Sequence, residues 1–426
     1  MVLAVARRHE CHFAVLGGGT SPFKGASVAD QGITIDLQRM RDVEFADGLD
    51  LRISVGGGAR WADVYQTLDP KNMSAVGTRN SLTGGISFFS EHHGWACDSA
   101  VEFEVVLADS TVIKATQYAN ADLFWALKGG GNNFGIVTRI VLEVFRDPPR
   151  WYTFQLFNLG DLFTVFKRLE NHTNTMIPHV WQIATTFGWH DPTQRFVISE
   201  RMVASEQIEL PDHVLRQAPD GTWEKSAVLQ TNVYERPILS MAQKMDVMNA
   251  EGFYNFFGSV TVSSNAELLL ALARVFQNEI DPIRDAKGLQ VYIVYNPITV
   301  NAMNQMKKRG GNALGLLSEN GPLTVVNINL HWSHKADETR MRKFMRQLIH
   351  RFRETASEMD MLNPYVFQNH AFEEQDVFSG YGAKNLAQLK DTRQKVDPDA
   401  VFQRLQPGFF KLEPKLTTAV EIKSEL

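Results

Sequence analysis

The chain has 426 residues, 44% of them hydrophobic and 21% charged, with a formal net charge of −5. That apolar share supports a large core and excludes a disordered chain, and the mild acidic excess lacks the basic footprint of a nucleic-acid binder. Two cysteines, Cys11 and Cys97, exclude a disulfide framework or a structural zinc site, and a mean hydropathy of −0.20 without any run of about 18 apolar residues excludes a membrane helix.

Residues 1–9 carry no secretory pattern, since the apolar run is short and the charges follow it, which leaves the cytoplasm as the default location. A strand, Phe13-Ala14-Val15-Leu16, is expected almost at once. Residues 11–145 then read as short β-branched or aromatic runs punctuated by glycine, such as Ile33–Leu37, Leu51–Val55 and Val101–Leu107. The last two alternate with period two, as half-buried strands do. Trp61–Leu68 reads as a short one-face helix, and Asp122–Leu127 as another, stopped by Gly129-Gly130-Gly131. Asp147-Pro148-Pro149-Arg150 closes this unit, because consecutive prolines end a strand.

From residue 149 to 361 glycines thin out and helices lengthen. Ser264-Asn265-Ala266-Glu267 reads as a capping box opening a helix to about Ile280. Met341, Phe344, Met345, Leu348, Ile349 and Phe352 form one helical stripe. Strands are expected at Val291–Tyr295 and Thr324–Trp332, so helices covering one face of an antiparallel sheet is the natural arrangement. Residues 362–412 return to loops and a last helix before Asp397-Pro398, and 413–426 form a tail. The fold class is therefore α+β.

Glycine placement carries the chemistry. Gly17-Gly18-Gly19-Thr20-Ser21 follows a strand directly, so its backbone N–H groups can approach a phosphate and its hydroxyls can donate to it. The spacing is neither a Walker A loop nor G-x-G-x-x-G, and a plain tight turn is the alternative. Gly56-Gly57-Gly58 reads as structural, opening the Trp61 helix. With Thr83-Gly84-Gly85 and Gly129–Gly135, the several glycine loops suggest a long, multi-phosphate ligand laid across backbone.

The segments Phe13–Pro22, Gly32–Leu37, Gly84–Ser90 and Gly94-Trp95-Ala96-Cys97-Asp98 resemble the PCMH-type FAD-binding domain, and more narrowly the fungal berberine-bridge-enzyme-like FAD-linked oxidases. Phe124–Thr138 is similar to the end of that domain, and Pro364–Ala371, Gly380-Tyr381-Gly382 and Val401–Gly408 resemble the berberine-bridge C-terminal segment. The resemblance implies an FAD-binding domain over 1–148, a substrate domain over 149–361 and a segment, 362–412, returning to the first. It implies FAD with its pyrophosphate over Gly17, Gly18, Gly19, Thr20 and Ser21. Gly77, Gly84, Gly85 and the backbone of Gly135, Ile136 and Val137 would hold the remainder, with Asn369 at the flavin edge.

Three departures stand out. Threonine occupies position 20, where many relatives have the histidine that bonds covalently to flavin. Thr78–Thr83 lacks the cysteine that anchors it a second time, and Cys97 reads instead as a small buried residue. A further amino-terminal strand-helix-strand segment is usual in relatives. The FAD is thus expected to be non-covalent if bound, and the departures together raise the alternatives that it is lost or that the gene model is shortened.

The candidate proton carriers are His370, beside Asn369 where relatives commonly have tyrosine, and His93, near where the ring should lie; an imidazole exchanges protons near neutral pH. A hydrogen-bonded loop histidine is the plainer reading of the first. Asn327, Asn329 and His331 alternate on one strand face and either bind substrate or meet water. No metal site suggests itself. The resulting expectation is an FAD-linked oxidation of a small hydrophobic or aromatic metabolite with oxygen as acceptor, in fungal secondary metabolism. The alternatives are a flavin-independent cyclase or isomerase on the same fold, or a truncated non-catalytic remnant. No nucleic-acid or membrane partner is expected, and the oligomeric state stays open.

Overall fold

A computed structural model describes residues 2–19, 21, 23–46, 48, 51–78, 85–208, 213–217, 223–247 and 252–413. The first unit is built on a five-stranded antiparallel sheet in the order Val43–Phe45, Arg52–Gly56, Ile136–Glu143, Ala100–Val106, Val112–Thr116. Alternation in these strands turns Ile53, Phe103, Val105 and Leu142 inward, where they meet Phe124 of the helix Ala121–Leu127 and Val64 and Leu68 of the helix Trp61–Leu68. Beside it, Phe13–Leu16 pairs in parallel with Ile33–Asp36.

Residues 2–8 form a helix that the sequence reading did not anticipate. A helix this short is not stable alone. Leu3 and Ala6 are buried against Phe13, Phe402 and Leu405, and the Phe13 N–H donates to the Leu405 carbonyl at 2.7 Å. The helix therefore owes its existence to the far end of the chain.

The second unit is an eight-stranded antiparallel sheet in the order Gln230–Arg236, Arg150–Phe157, Arg195–Ala204, Val180–His190, Gln290–Ile298, Leu323–Trp332, Tyr254–Ser263, Leu362–Asn363. One face is covered by the helices Leu162–Thr175, Ala266–Glu279 and Glu338–Glu358. Val291, Ile293, Tyr295, Ile328, Leu330 and Val260 bury completely against Phe166, Leu272, Phe276 and Leu348, each such apolar side chain contributing roughly 1.5–3 kcal/mol. The stripe from Met341 to Phe352 lies in this core as its spacing required. The cap of Ala266–Glu279 is Asn265, whose side chain accepts from the Leu268 N–H at 3.0 Å; it displaces Ser264, which bonds to Thr324 instead.

On the opposite face the helix Ile238–Val247 shares a buried cluster with Tyr152 and Val203 at one edge, and among the described residues the middle strands of that face are helix-free. Register puts Phe257, Asn329 and Tyr292 in one row and Ser259, Asn327, Val294 and Thr186 in the next. Residues 364–412 then return to the first unit, burying Tyr365, Phe367, Phe378 and Tyr381 with Trp95, Phe124 and Phe134. The helix-free face is thereby turned toward the glycine loops. Among the described residues no helix is long and apolar enough to cross a membrane.

Candidate active site

The glycine loops converge on a cavity of about 610 Å³, within the ordinary range of about 300–1,000 Å³ for cofactor pockets. Seven glycines stand in its wall among apolar side chains such as Trp61, Trp95, Phe103 and Phe409. Gly17 and Gly57 face each other so closely that a Cβ on Gly17 would lie 2.9 Å from the Gly57 carbonyl, and a Cβ on Gly57 would lie 2.7 Å from the Val137 carbonyl. A Cβ on Gly135 would meet Val105 at 2.4 Å. Only glycine lets these strands and turns approach and leave peptide groups at the wall.

Gly17, Ser21, Gly85, Gly135, Ile136, Val137 and Asn369, the residues expected at a cofactor, all line this cavity. Gly18 and Gly19 belong to the same turn, Gly19 at φ +72°, without forming its wall. Thr20 and Gly84 lie outside the described residues. Gly77 is displaced from its expected role: a Cβ there would meet the Trp61 ring at 2.2 Å and the Tyr65 hydroxyl at 2.4 Å, so its smallness serves packing behind the cavity. Gly56 and Gly57, read from sequence as structural, form wall; Gly58, whose Cβ would fall 1.9 Å from the Leu37 carbonyl, is the structural one. The signal was present, since the cluster repeats the pattern of the first loop.

The C-terminal segment supplies the far wall through Tyr365, Phe367, Gln368, Asn369 and Tyr381. The Gln368 Nε2 and the Tyr365 hydroxyl are buried there without a hydrogen-bond partner, whereas the Tyr381 hydroxyl donates to the Gly129 carbonyl at 3.1 Å. An orphaned buried polar atom costs about 1–3 kcal/mol, so two at one wall mark a place where a polar ligand belongs. Backbone donors on one side, buried side-chain donors on the other and aromatic walls between them fit a long, partly aromatic, phosphate-bearing group such as FAD.

Cys97 also lines the cavity, with burial pushing its thiol well up. Below it Asp98 accepts from the Trp95 N–H at 2.8 Å and the Asn312 amide at 2.7 Å, and burial pushes its pKa up to about 6. Lys128 is wholly buried nearby, its Nζ donating to the Arg309 carbonyl at 3.1 Å, and burial holds its pKa down. These charges hold the cavity floor to the 298–316 connection.

His370 ends the turn Gln368–His370, stacked on Phe367 at 5.4 Å and edge-on to Phe257 at 5.1 Å. It thus stands between the cavity and the helix-free sheet face. His93 does not reach the cavity. It stacks on Phe145 at 4.1 Å in the seam between the units, and burial, with Lys308, His92 and Arg150, lowers its pKa to about 4. It is held there as a neutral packing ring. Asn327 and Asn329 are 2% and 5% exposed, which removes the reading of a solvated strand face, and Asn329 donates to the Asn327 carbonyl at 3.3 Å. His331, in the next position on that face, is partly exposed. Among the described residues no cluster of three or more histidines, cysteines and carboxylates could hold a metal ion.

Comparison with known proteins agrees with this geometry. Residues 1–116 match a family model described as an FAD binding domain. The chain is 32% identical over 431 residues to the FAD-dependent monooxygenase tpcD of Cochliobolus heterostrophus, covering 96% of this chain and 82% of that protein. It is 26% identical over 427 residues to the bifunctional solanapyrone synthase of Alternaria solani, covering 96% of this chain and 78% of that one. Among solved structures, 6-hydroxy-D-nicotine oxidase from Arthrobacter nicotinovorans superposes with a TM-score of 0.75 at 17% identity, covering 97% of this chain and 89% of that one, a likeness of fold.

Proposed function

From the premise that this chain belongs to the fungal FAD-dependent oxidoreductases built on the PCMH-type, berberine-bridge-enzyme-like fold, we propose that it oxidises a small, hydrophobic or aromatic metabolite of secondary metabolism, with oxygen as the final acceptor. The observation that carries this is the glycine-walled cavity opposed by the buried, unpaired Gln368 and Tyr365 groups.

The residues that would hold FAD are the Gly17 and Gly57 turns with Ser21, the Gly135–Val137 backbone, and Gln368 and Asn369 at the opposite wall. Bound there, FAD supplies two-electron acceptance and reaction with oxygen. With threonine at position 20, the association is non-covalent. Substrate lies between the cavity and the helix-free sheet face, where Asn327, Asn329 and His331 orient it. His370, placed between the two, exchanges the proton that accompanies oxidation. The 149–361 region is thus the substrate domain, and 362–412 completes the cofactor's wall.

The test is the absorption spectrum of the purified chain, followed by anaerobic mixing with candidate metabolites. Flavin bands that bleach on mixing and return with air are expected; absence of bands even after added FAD overturns the reading. The similarity to solanapyrone synthase favours one second reading, in which the same sheet face shapes a substrate for intramolecular cyclisation. Turnover that persists without oxygen and with the flavin removed would select it.

A further inference from the structure

The helix-free face of the large sheet holds a side-chain relay that joins His331 to two residues not singled out above, Asn255 and Tyr292. Asn255, on Tyr254–Ser263, donates through Nδ2 to the Phe253 carbonyl at 3.0 Å. A carbonyl only accepts, so this bond fixes the amide and leaves Oδ1 directed at His331 Nδ1, with which it hydrogen-bonds. The His331 proton therefore sits on Nδ1, and Nε2 is bare. Facing Nε2 at 3.4 Å is the hydroxyl of Tyr292, whose ring stacks on the imidazole at 5.8 Å. That hydroxyl must donate to Nε2, which leaves its oxygen lone pairs as the outward-facing function.

The surroundings suit such a role. Gly188 lies directly opposite Tyr292, and a Cβ there would fall 2.6 Å from the Tyr292 Cβ, so glycine makes room for the ring. Tyr292, His331, Asn255, Phe257 and Arg201 are all partly exposed although their strands lie inside the sheet, whereas Val291 and Ile293 on the other face are fully buried. The relay thus borders open space, and Phe257 links it to the cofactor cavity by standing edge-on to both His331, at 5.9 Å, and His370, at 5.1 Å. The charged and titratable groups facing the pair are Arg201, which also donates to Thr186 at 3.3 Å, and His370 beyond Phe257.

We propose that Tyr292 is a catalytic residue that selects substrates bearing a hydroxyl at the carbon to be oxidised, with His331 and Asn255 as the positioning residues that turn its oxygen into an acceptor. This rests on the oxidase reading above. With bound FAD supplying two-electron acceptance, the substrate O–H bond would break toward Tyr292 Oη as the carbinol C–H bond gives up its hydride, and the Tyr292 proton would move to His331 Nε2. The alcohol loses two electrons and two hydrogens and becomes a carbonyl; the proton is left on the imidazolium, which Asn255 Oδ1 stabilises. Burial lowers the His331 pKa to about 4, so the resting ring is neutral at neutral pH and its bare Nε2 accepts the Tyr292 hydrogen bond.

The holoprotein labelled with ¹⁵N-histidine should show, for the resonance lost in His331→Gln, protonated Nδ1 and bare, hydrogen-bonded Nε2. Tyr292→Phe should shift Nε2 alone. At pH 6, 4-nitrophenol should bind with its absorption moved toward the phenolate, and 4-nitroanisole at least tenfold more weakly; Tyr292→Phe should abolish the difference. Should Tyr292→Phe fail to fold, Asn255→Leu, which frees the tautomer, serves in its place. Protonated Nε2, equal binding of the two probes, or no binding of 4-nitrophenol overturns the proposal while leaving flavin reduction untouched. Failure of every hydroxylated metabolite to bleach the flavin overturns the oxidase reading while the tautomer and probe preference stand.

Discussion

The two walls of the site are built by opposite means. Around the cavity the chain removes side chains, so that Gly17, Gly57 and Gly135 bring peptide groups to the surface at separations no Cβ would permit. On the sheet face the backbone is engaged in its ladder, and the proposed recognition falls to alternate side chains: Tyr292, Asn327, Asn329 and His331. A cofactor common to many proteins can be met by backbone, which is indifferent to sequence. A substrate peculiar to one protein needs side chains, which are free to differ. Glycine loops therefore announce the first wall, while the second is built from ordinary strand residues.

The contrast can be broken at several points. The largest effect is expected at the helix-covered face: Phe276→Ala, at a fully buried position, should cost about 3–5 kcal/mol in denaturant unfolding, and less than 1 kcal/mol would mean that face is not the core. Next, Gly57→Ala should give a folded chain with flavin content reduced at least tenfold by absorbance, because its Cβ meets the Val137 carbonyl at 2.7 Å, whereas Gly48→Ala, with nothing within 4 Å, should retain it. Acid precipitation of the loaded protein should leave all flavin in the supernatant; colour in the pellet would point to a covalent link, with Cys97 as the thiol at hand.

A subtler effect concerns pH. Asp98 and Asp147 both have folded pKa values raised to about 6 from an ordinary 3.8 by burial. Between those values the folded chain binds more protons than the unfolded one, so their contribution is full below about pH 4 and is lost as pH rises through 6. Asp98→Asn should flatten the fall in Tm between pH 4 and 7 relative to the parent; an unchanged slope would reject the assignment. The smallest effect is Val294→Ala on the helix-free face, where a partly exposed side chain should cost about 1 kcal/mol or less.

What could be read in advance follows the same division. The clusters at 17–19 and 129–135, the period-two strands and the stripe on Glu338–Glu358 are local patterns, and each stands where its residues placed it. Gly77 and Gly56 exchanged roles because a glycine that packs against Trp61 and one that lines a cavity look alike along a chain. The Val2–Arg8 helix and the shift of a cap from Ser264 to Asn265 depend on distant partners. Asn327, Asn329 and His331 were legible by alternation. Tyr292 and Asn255 were not, since only the register of three strands sets them beside His331.

The cavity takes Gly17 from near the beginning of the chain and Phe367, Gln368 and Phe409 from near its end. At a synthesis rate of 5–20 residues per second, roughly 20–80 s separate the emergence of the first wall from that of the last. A wall completed only when residues near 409 fold back makes flavin capture a late event, and the packing of Leu3 and Phe13 on Phe402 and Leu405 is what joins the two ends for it.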